Sequence, residues 1–204
     1  MLIADGEGLQ QFKRHQHLAR AGEAQDTIYR VEAGWACRYR MLRDNRRQIT
    51  ALFLPGDYCE PHWLFSAEVH HPVVALTDLR VRRIPLQEIR DVPVAQYENV
   101  RSVLRAILRS LHGQSDWIVS LGRKTALERL SSLLCEIFDR LRSGDQVLDN
   151  QCAMPLTQHD LADIVGLTPV HVNRVLQVLR ARGLVELSAR WMRLPDPEAL
   201  RKLG

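Results

Sequence analysis

This chain of 204 residues has only four cysteines, no long apolar run and no strong charge excess. The four cysteines form no C-x-x-C pair, and the N-terminus MLIADGEG lacks the basic-then-apolar order of an export signal. No disulfide framework is therefore predicted, and we expect reduced thiols in a soluble cytoplasmic protein. The cysteines are Cys37, Cys59, Cys135 and Cys152.

No stretch approaches the roughly 18 apolar residues that a membrane span requires, so no membrane partner is expected. The formal net charge is only +4. It is spread evenly, because residues 124–204 hold 11 Lys and Arg against 10 Asp and Glu, which leaves 17 against 14 for residues 1–123. Net charge therefore permits a polyanionic partner without predicting one.

Motifs of catalysis are also absent. The sequence holds no G-x-S-x-G, P-loop or H-E-x-x-H motif and no recognisable pair of catalytic carboxylates. Its cysteines and histidines lack a recognisable third partner of the kind that a nucleophilic site needs. We therefore do not expect an enzyme.

Short alternating or apolar runs, broken by turn residues, extend from Phe12 to about Ile84. They include TIYRVEAG, WACRYRML and QITALFLPGD, with turn residues at Gly22, Asp44-Asn45 and Pro55-Gly56 between the runs. This pattern predicts an antiparallel β domain of sandwich, barrel or jelly-roll type.

A helical pattern replaces the β pattern in residues 94–123. Apolar residues spaced alternately four and three apart, with one glutamine among them, predict a long helix with a coiled-coil edge. A parallel two-fold dimer through this seam is favoured over a helix that lies wholly on its own domain. The seam consists of Val100, Leu104, Ile107, Leu111, Gln114, Ile118 and Leu121. A second apolar set, which could pack on the β domain, consists of Val103, Leu108 and Trp117.

A further helix is predicted after a hinge at Gly122-Arg123-Lys124. Thr125 and Glu128 have the spacing of a capping box. The helix ALERLSSLLCEIFDRLRS carries one apolar stripe, and we expect it to end at Gly144.

The segment TQHDLADIVGLTPVHVNRVL predicts two short helices joined by a tight turn at Gly166. Thr157 and Thr168 can cap these helices, and Pro169 suits the first position of the second. Small, turn-forming and apolar residues at the required places favour a helix-turn-helix over a purely structural hairpin. These residues are Ala162, Gly166, Val172 and Val175, with Leu161, Val165, Leu167 and Leu176 completing the core. The polar residues left on the other sides are His171, Asn173, Arg174 and Gln177.

Two short apolar strands, LVEL and WMRL, follow on either side of the tip Ser188-Ala189-Arg190. They predict a two-stranded wing. A winged helix-turn-helix places its second helix in the major groove of DNA, with a few well-positioned cations and N–H groups on the backbone. A low net charge is then no objection to DNA binding.

In this order of parts the chain resembles the Crp/Fnr superfamily of bacterial transcription regulators, over essentially its whole length. The family's turn glycines appear at Gly22, Gly34 and Gly56, and LTQHDLADIVGLTPVHVNRVLQVLRARGLVEL is the more specific match. The resemblance implies an α+β fold with three parts. These are an antiparallel β-roll of jelly-roll type in residues 1–93, a long dimerisation helix in residues 94–123, and a winged helix-turn-helix in residues 124–204.

The same resemblance implies a homodimer that binds a palindromic site in double-stranded DNA and acts with RNA polymerase. Control would come from an effector or partner at the β-roll. Thr157 and Gln158 would meet phosphates, Arg190 would lie at the wing tip, and Arg174 would address guanine. The residues implied to face the groove are Thr168, Pro169, Val170, His171, Asn173 and Arg174. Familiar relatives carry a glutamate at the position of Val170, so a different target sequence is expected.

The effector is not predicted. A candidate pocket consists of Gly56, Asp57, Cys59, His62 and Trp63. No arginine lies between Asp57 and Asp78, so a cyclic nucleotide such as cyclic AMP would lack a cation for its phosphate.

The available ligands also bear on iron–sulfur, haem and metal sensing. No cysteine precedes Cys37, which disfavours an iron–sulfur cluster. Haem or a metal remains an alternative that we do not favour, as does ligand-independent DNA binding. The residues that raise the haem or metal alternative are Cys59, His62, His70 and His71, with His15 and His17 on one face of a possible strand.

Two further groups have structural interpretations. Trp35 and Trp63 are favoured as core residues over the lining of an effector pocket. Arg43, Arg46 and Arg47 are interpreted as a solvated hairpin tip.

Overall fold

The computed structural model describes residues 8–66, 68–90 and 97–204, with the side chains of residue 90 and of residues 97–100 left out. The described chain forms two compact units. One comprises the residues up to Arg40 together with Thr50–Gly113, and the other comprises Met41–Ile49 together with Gln114–Gly204. The predicted border at residues 93 and 94 lies outside the described residues.

Two four-stranded antiparallel sheets form the β-roll, which confirms the predicted β architecture. The first has the order β1 (Leu9–Phe12), β8 (Leu79–Pro85), β3 (Thr27–Ala33), β6 (Tyr58–Cys59). The second has the order β2 (His17–Ala19), β7 (Val73–Ala75), β4 (Ala36–Met41), β5 (Arg47–Phe53). A 3₁₀ turn, Pro61–Leu64, and a short helix α1, Leu86–Arg90, complete the described N-terminal elements before α2.

Apolar side chains from both sheets fill the interior of the β-roll. Val31 faces Val81 across β3 and β8, and both are fully buried. Trp63 and Val103 join the same core, and Trp35 is also buried, as the core interpretation of the tryptophans predicted.

One part of the β prediction is wrong. His15 and His17 do not share a strand face, because His15 has a φ of 68°, in the turn between β1 and β2, whereas His17 begins β2. His17 Nε2 lies 2.9 Å from the hydroxyl of Tyr39.

Two long helices follow. Helix α2 spans Tyr97–Arg123 and α3 spans Ala126–Ser143, with the expected break between them. The backbone N–H of Thr125 donates to Glu128 Oε2 at 2.6 Å, and Thr125 Oγ1 accepts from the N–H of Glu128, so the predicted capping box is confirmed. The apolar stripe of α3 forms the core of the C-terminal unit, with Leu130, Leu134 and Ile137 fully buried.

The wing is larger than predicted. Strands β10 (Glu186–Ser188) and β11 (Trp191–Arg193) pair as expected, but β9 (Gln151–Ala153) adds a third strand beside β11. The prediction of two strands is therefore wrong. Strand β9 is only three residues long, too short for its period to stand out from the polar segment DQVLDNQCA.

Burial accounts for the state of the cysteines. None of the four forms a disulfide, and all four are buried. Burial raises the pKa of Cys59 well above its usual value and raises the pKa of Cys135 and of Cys152 to about 11. These groups are therefore neutral thiols at physiological pH.

Candidate nucleic-acid interface

Helix α4, Gln158–Val165, begins at a reciprocal cap. Thr157 donates from its hydroxyl to Asp160 Oδ2 at 2.7 Å and from its backbone N–H to the same oxygen at 3.0 Å. The Asp160 N–H donates back to Thr157 Oγ1 at 3.1 Å. The predicted cap at Thr157 is confirmed, and it leaves Thr157 itself exposed.

The electrostatics of this cap favour the charged form of Asp160. Burial raises the pKa of its carboxyl, but hydrogen bonds from Thr157 and Arg47 outweigh burial and hold the pKa below its usual value. Asp160 is therefore an ionised, buried acceptor at neutral pH.

The turn between the two helices depends on Gly166. Its φ of 65° and ψ of 41° are left-handed, and a Cβ added there would also lie 3.3 Å from Leu121 Cδ2. The Leu167 N–H donates to the carbonyl of Ala162 at 3.1 Å, which closes the turn. Glycine is thus favoured at this turn by its left-handed φ, and a larger residue would also crowd the Leu121 side chain.

Helix α5, Pro169–Ala181, is capped by Thr168, whose hydroxyl accepts from the N–H of His171 at 3.2 Å. Its inner side is buried in the core of the C-terminal unit through Val172, Val175 and Leu176, as predicted, and also through Leu179. Its outer side, which we call the reading face, consists of the exposed residues Val170, His171, Arg174 and Gln177. A shallow groove of about 420 Å³ lies beside it, lined by Leu127, Thr168, Val170, His171, Arg174, Val175 and Val178.

Hydrogen bonds link the remaining predicted polar residues of the two helices to one another. Asn173 is half-buried, and its Nδ2 donates to Gln158 Oε1 at 3.2 Å. Gln177 Nε2 in turn donates to Asn173 Oδ1 at 3.0 Å. This link between α4 and α5 was not evident from the sequence, because polar residues 15 positions apart carry no periodic signal.

The wing tip presents Arg190 to solvent. Ala189 and Arg190 both have positive φ, 48° and 69°, between the paired residues Ser188 and Trp191. A two-residue hairpin of this geometry favours glycine or asparagine. Strained residues at this tip indicate a position held for its side chain.

The predicted effector residues lie partly in a turn and partly in the core of the β-roll. Gly56, with φ of 94°, and Asp57 form a turn in which Asp57 Oδ2 accepts from the Leu54 N–H at 2.7 Å. Cys59 and Trp63 are buried in the core of the β-roll. Two surface depressions lie elsewhere, one at the reading face and one beside Phe12 and Leu79.

A buried ion-pair network lies in this segment instead, and the sequence pattern did not predict it. Glu60 is 3% exposed and has a left-handed backbone, with φ of 49°. Arg38 Nη1 donates to both carboxylate oxygens of Glu60 at 3.2 Å, and Arg38 Nε donates to Thr50 Oγ1 at 2.9 Å. His62, one of the predicted pocket residues, lies with Nδ1 3.0 Å from Glu60 Oε2.

The candidate metal-binding residues are not brought together. Among the described residues, no group of three or more His, Cys, Asp or Glu side chains is placed to hold a metal ion. Cys59 is fully buried, whereas His70 is exposed. Within the same part of the chain, no helix combines the length and apolar character needed to span a membrane.

Two family models match this chain. The Crp-like helix-turn-helix domain matches residues 128–203, and the cyclic nucleotide-binding domain matches residues 9–93. The two matched regions are the helix-turn-helix with its wing and the β-roll described above.

Relatives match over nearly the whole chain. The transcriptional activator protein FnrL of Cereibacter sphaeroides is 32% identical over 182 residues, which cover 83% of this chain and 69% of the relative. The nitrogen fixation regulation protein FixK of Rhizobium meliloti is 29% identical, and the match covers 94% of this chain and 85% of the relative. The solved structure of FixK2 from Bradyrhizobium japonicum superposes with a TM-score of 0.83, at 27% identity and 96% coverage of both chains. The chain therefore belongs to the Crp/Fnr superfamily of DNA-binding transcription regulators.

Proposed function

We propose that the chain regulates transcription as a homodimer that binds a palindromic DNA site through its two α5 helices. The observation that carries this proposal is an unpartnered apolar stripe on α2. Its five residues are 44% to 71% exposed. We call it the α2 stripe, and it consists of Leu104, Leu108, Leu111, Ile118 and Val119.

The α2 stripe differs in detail from the predicted seam. Leu104, Leu111 and Ile118 are shared, but Ile107 packs against the β-roll core and Leu121 is half-buried near Gly166. Gln114 is half-buried, and the side chain of Val100 lies outside the described residues. Leu108 takes the place of Ile107: it follows Leu104 by four residues and precedes Leu111 by three. Ile118 follows Leu111 by seven residues, so these four keep the heptad spacing that a two-stranded coiled coil needs, and Val119 lies next to Ile118.

Burial of the α2 stripe supplies the energy for dimerisation. Fully burying a leucine or isoleucine side chain contributes about 1.5 to 3 kcal/mol, and each protomer offers five apolar side chains. Two-fold symmetry then presents two reading faces to one DNA duplex. Half-sites about 34 Å apart, one turn of DNA, follow from that symmetry.

The contacts with DNA are assigned by chemistry. Arg174 is exposed at the centre of the reading face, and its guanidinium can donate to O6 and N7 of guanine together. Val170 is 64% exposed near the start of α5 and can contact only the methyl group of thymine. Thr168, Pro169 and His171 lie at the same end of α5 and would face the major groove of DNA.

Phosphate contacts flank this reading face. Thr157 caps α4 and Gln158 begins it, so the N–H groups of the first turn that the cap does not engage favour an anion. Arg190 at the wing tip contacts the backbone on the other side. Asn173 acts mainly by holding Gln158, because its side chain already bonds that residue.

We further propose that DNA binding does not require a cyclic nucleotide. Glu60 and Trp63 occupy the segment after Gly56, and both are buried, so these residues offer no cation to a nucleotide phosphate. Arg38 is engaged with that carboxylate. We therefore expect cyclic AMP to change the affinity for DNA by less than twofold. Titrations followed by calorimetry and by anisotropy, with and without cyclic AMP, measure that affinity.

The remaining functional assignments follow the relatives, which are transcription regulators. We propose no catalytic activity, a cytoplasmic location, and RNA polymerase as the partner that the DNA-bound dimer meets.

Selection of bound DNA from random oligonucleotides tests the central proposal. We expect an inverted repeat with guanine and thymine in each half-site and centres one helical turn apart. An asymmetric single site, or no enrichment at all, would contradict it.

A further inference from the structure

The tip of the β4–β5 hairpin, Met41–Ile49, is part of the C-terminal unit. Its Arg47 does not face solvent, so the interpretation of Arg43, Arg46 and Arg47 as a solvated tip holds only for the first two. Arg47 Nη2 lies 2.6 Å from Asp160 Oδ1, and Arg47 Nε lies 2.6 Å from Asp163 Oδ2. One guanidinium thus engages two carboxylates of α4.

The next residue extends this contact to the other end of the helix. Gln48 Nε2 donates to the carbonyl of Ile164 at 3.0 Å. That carbonyl is one of the last four of α4, which have no partner within the helix. Arg129 supports the same end by donating to the carbonyl of Val165 at 3.2 Å.

Helix α4 needs such support because it has only eight residues. Isolated helices of that length are not stable in water, so tertiary contacts must fix its position. Arg47 contacts α4 on the side of its N-terminal cap, where Asp160 shares its carboxylate between Arg47 and Thr157. Only 9% of the Asp160 side chain is exposed.

We propose that Arg47 is a positioning residue for DNA binding, which holds the N-terminal turn of α4 so that Thr157 and Gln158 meet the DNA backbone. This inference rests on the phosphate contacts proposed above. Two bonds from one planar guanidinium to Asp160 and Asp163 fix the rotation of α4 about its axis. Asp160 passes that restraint directly to the Thr157 hydroxyl.

The Arg47→Ala variant tests this role in the full-length protein. We expect its affinity for a duplex carrying the selected site to fall on the order of tenfold, because a residue without a ligand contact acts only through the group it positions. Arg46→Ala is the matched control. It removes the same charge from the preceding position. The Arg46 guanidinium is exposed and bonds only the nearby Asp44 among the contacts described. We expect it to bind within twofold of wild type.

The salt dependence separates positioning from direct contact. Thr157 and Gln158 are neutral, so their misplacement releases no counterions and the slope of log K against log salt should stay at the wild-type value. A cation that itself touches a phosphate lowers that slope by about 1 when it is removed. A lowered slope for Arg47→Ala would overturn the positioning role.

A double-mutant cycle with Asp163→Asn tests the route of action. If Arg47 acts through the α4 carboxylates, the double variant should lose no more affinity than Arg47→Ala alone. Full additivity would contradict the proposal, as would equal affinities for Arg47→Ala and Arg46→Ala. If Arg47→Ala unfolds, Asp163→Asn alone should still weaken binding, by about threefold, with an unchanged melting temperature.

Failure of this inference is distinct from failure of the proposed function. Arg174→Ala serves as the reference in the same titrations. Loss of binding by Arg174→Ala with wild-type binding by Arg47→Ala refutes the positioning role alone. Wild-type binding by both variants refutes the assignment of the reading face.

Discussion

Helix α5 and the segment after Gly56 both hold a mixture of polar and apolar residues, but they dispose of the polar groups differently. On α5, His171, Arg174 and Gln177 remain exposed. After Gly56, Glu60 is buried and engaged by Arg38 and His62. Polar groups that satisfy one another in the interior are not available to a ligand, whereas exposed ones are.

The comparison bears on how this regulator is controlled. We expect the exposed polar side chains of α5 to contact DNA. We expect the buried pairing of Glu60 with Arg38 to stabilise the β-roll. The two regions thus divide recognition from support, and the following changes test that division.

The largest effect is expected from the α2 stripe. Leu104→Glu with Leu111→Glu places two charges in the proposed dimer seam and should give monomers. Affinity for the palindrome should fall about 10²-fold to 10⁴-fold, because the second half-site no longer binds at high effective concentration. Light scattering gives the mass, and anisotropy gives the affinity.

Arg105→Glu with His112→Glu is the matched control for this change. These residues are exposed, have the same spacing of seven, and lie outside the α2 stripe. The control should remain dimeric. A monomeric form of the Leu104 and Leu111 variant that binds the palindrome tightly would refute the dimer mechanism.

The next largest effect concerns the β-roll. Glu60→Gln leaves Arg38 buried without its counter-charge, which should cost about 3 kcal/mol of unfolding free energy. The sequence preference in DNA binding should not change, because the reading face is untouched. Urea unfolding and repeated selection of DNA measure the two quantities.

Glu68→Gln provides the comparison, since Glu68 is exposed in the same part of the chain. It should cost less than about 0.5 kcal/mol. A change of DNA preference in Glu60→Gln would show that the β-roll takes part in reading DNA.

Local chemistry explains how much of this could be predicted. The caps at Thr125, Thr157 and Thr168 and the turn at Gly166 depend on neighbours within a few residues, so the sequence predicts them. The helix-turn-helix is built from such local rules. Its predicted inner and outer sides agree with the structure except at Leu167 and Asn173, which are half-buried.

Long-range pairing explains the remainder. Arg38 meets Glu60 across 22 positions, and Arg47 meets Asp160 across 113. Neither pair has a spacing that a periodic pattern could reveal. The α2 stripe contains Leu108 in place of Ile107 for a similar reason. The β-roll core covers Ile107, and the heptad pattern alone does not show which side of α2 that core covers.

A smaller effect is expected at the reading face. Arg174→Ala should lose about 1 to 3 kcal/mol of binding free energy on the selected site and less on a duplex of unrelated sequence. Arg180→Ala, which removes an exposed arginine from the last turn of the same helix, should change both affinities alike. Equal losses on both duplexes for Arg174→Ala would mean that Arg174 contacts only phosphate.

The smallest effect is expected in acid, at the cap of α4. The pKa of Asp160 is lowered in the folded protein, so its ionised form contributes stability above the unfolded pKa of about 4. That contribution is lost as the pH falls further, through the folded pKa. The stability difference between wild type and Asp160→Asn should therefore shrink as the pH falls below about 4, as measured by urea unfolding. Asp145→Asn, at an exposed position, should cost less than about 0.5 kcal/mol of unfolding free energy. A stability difference between wild type and Asp160→Asn that does not change with pH would mean that charge does not hold the start of α4. Hydrogen bonding, which an amide partly retains, would then hold it.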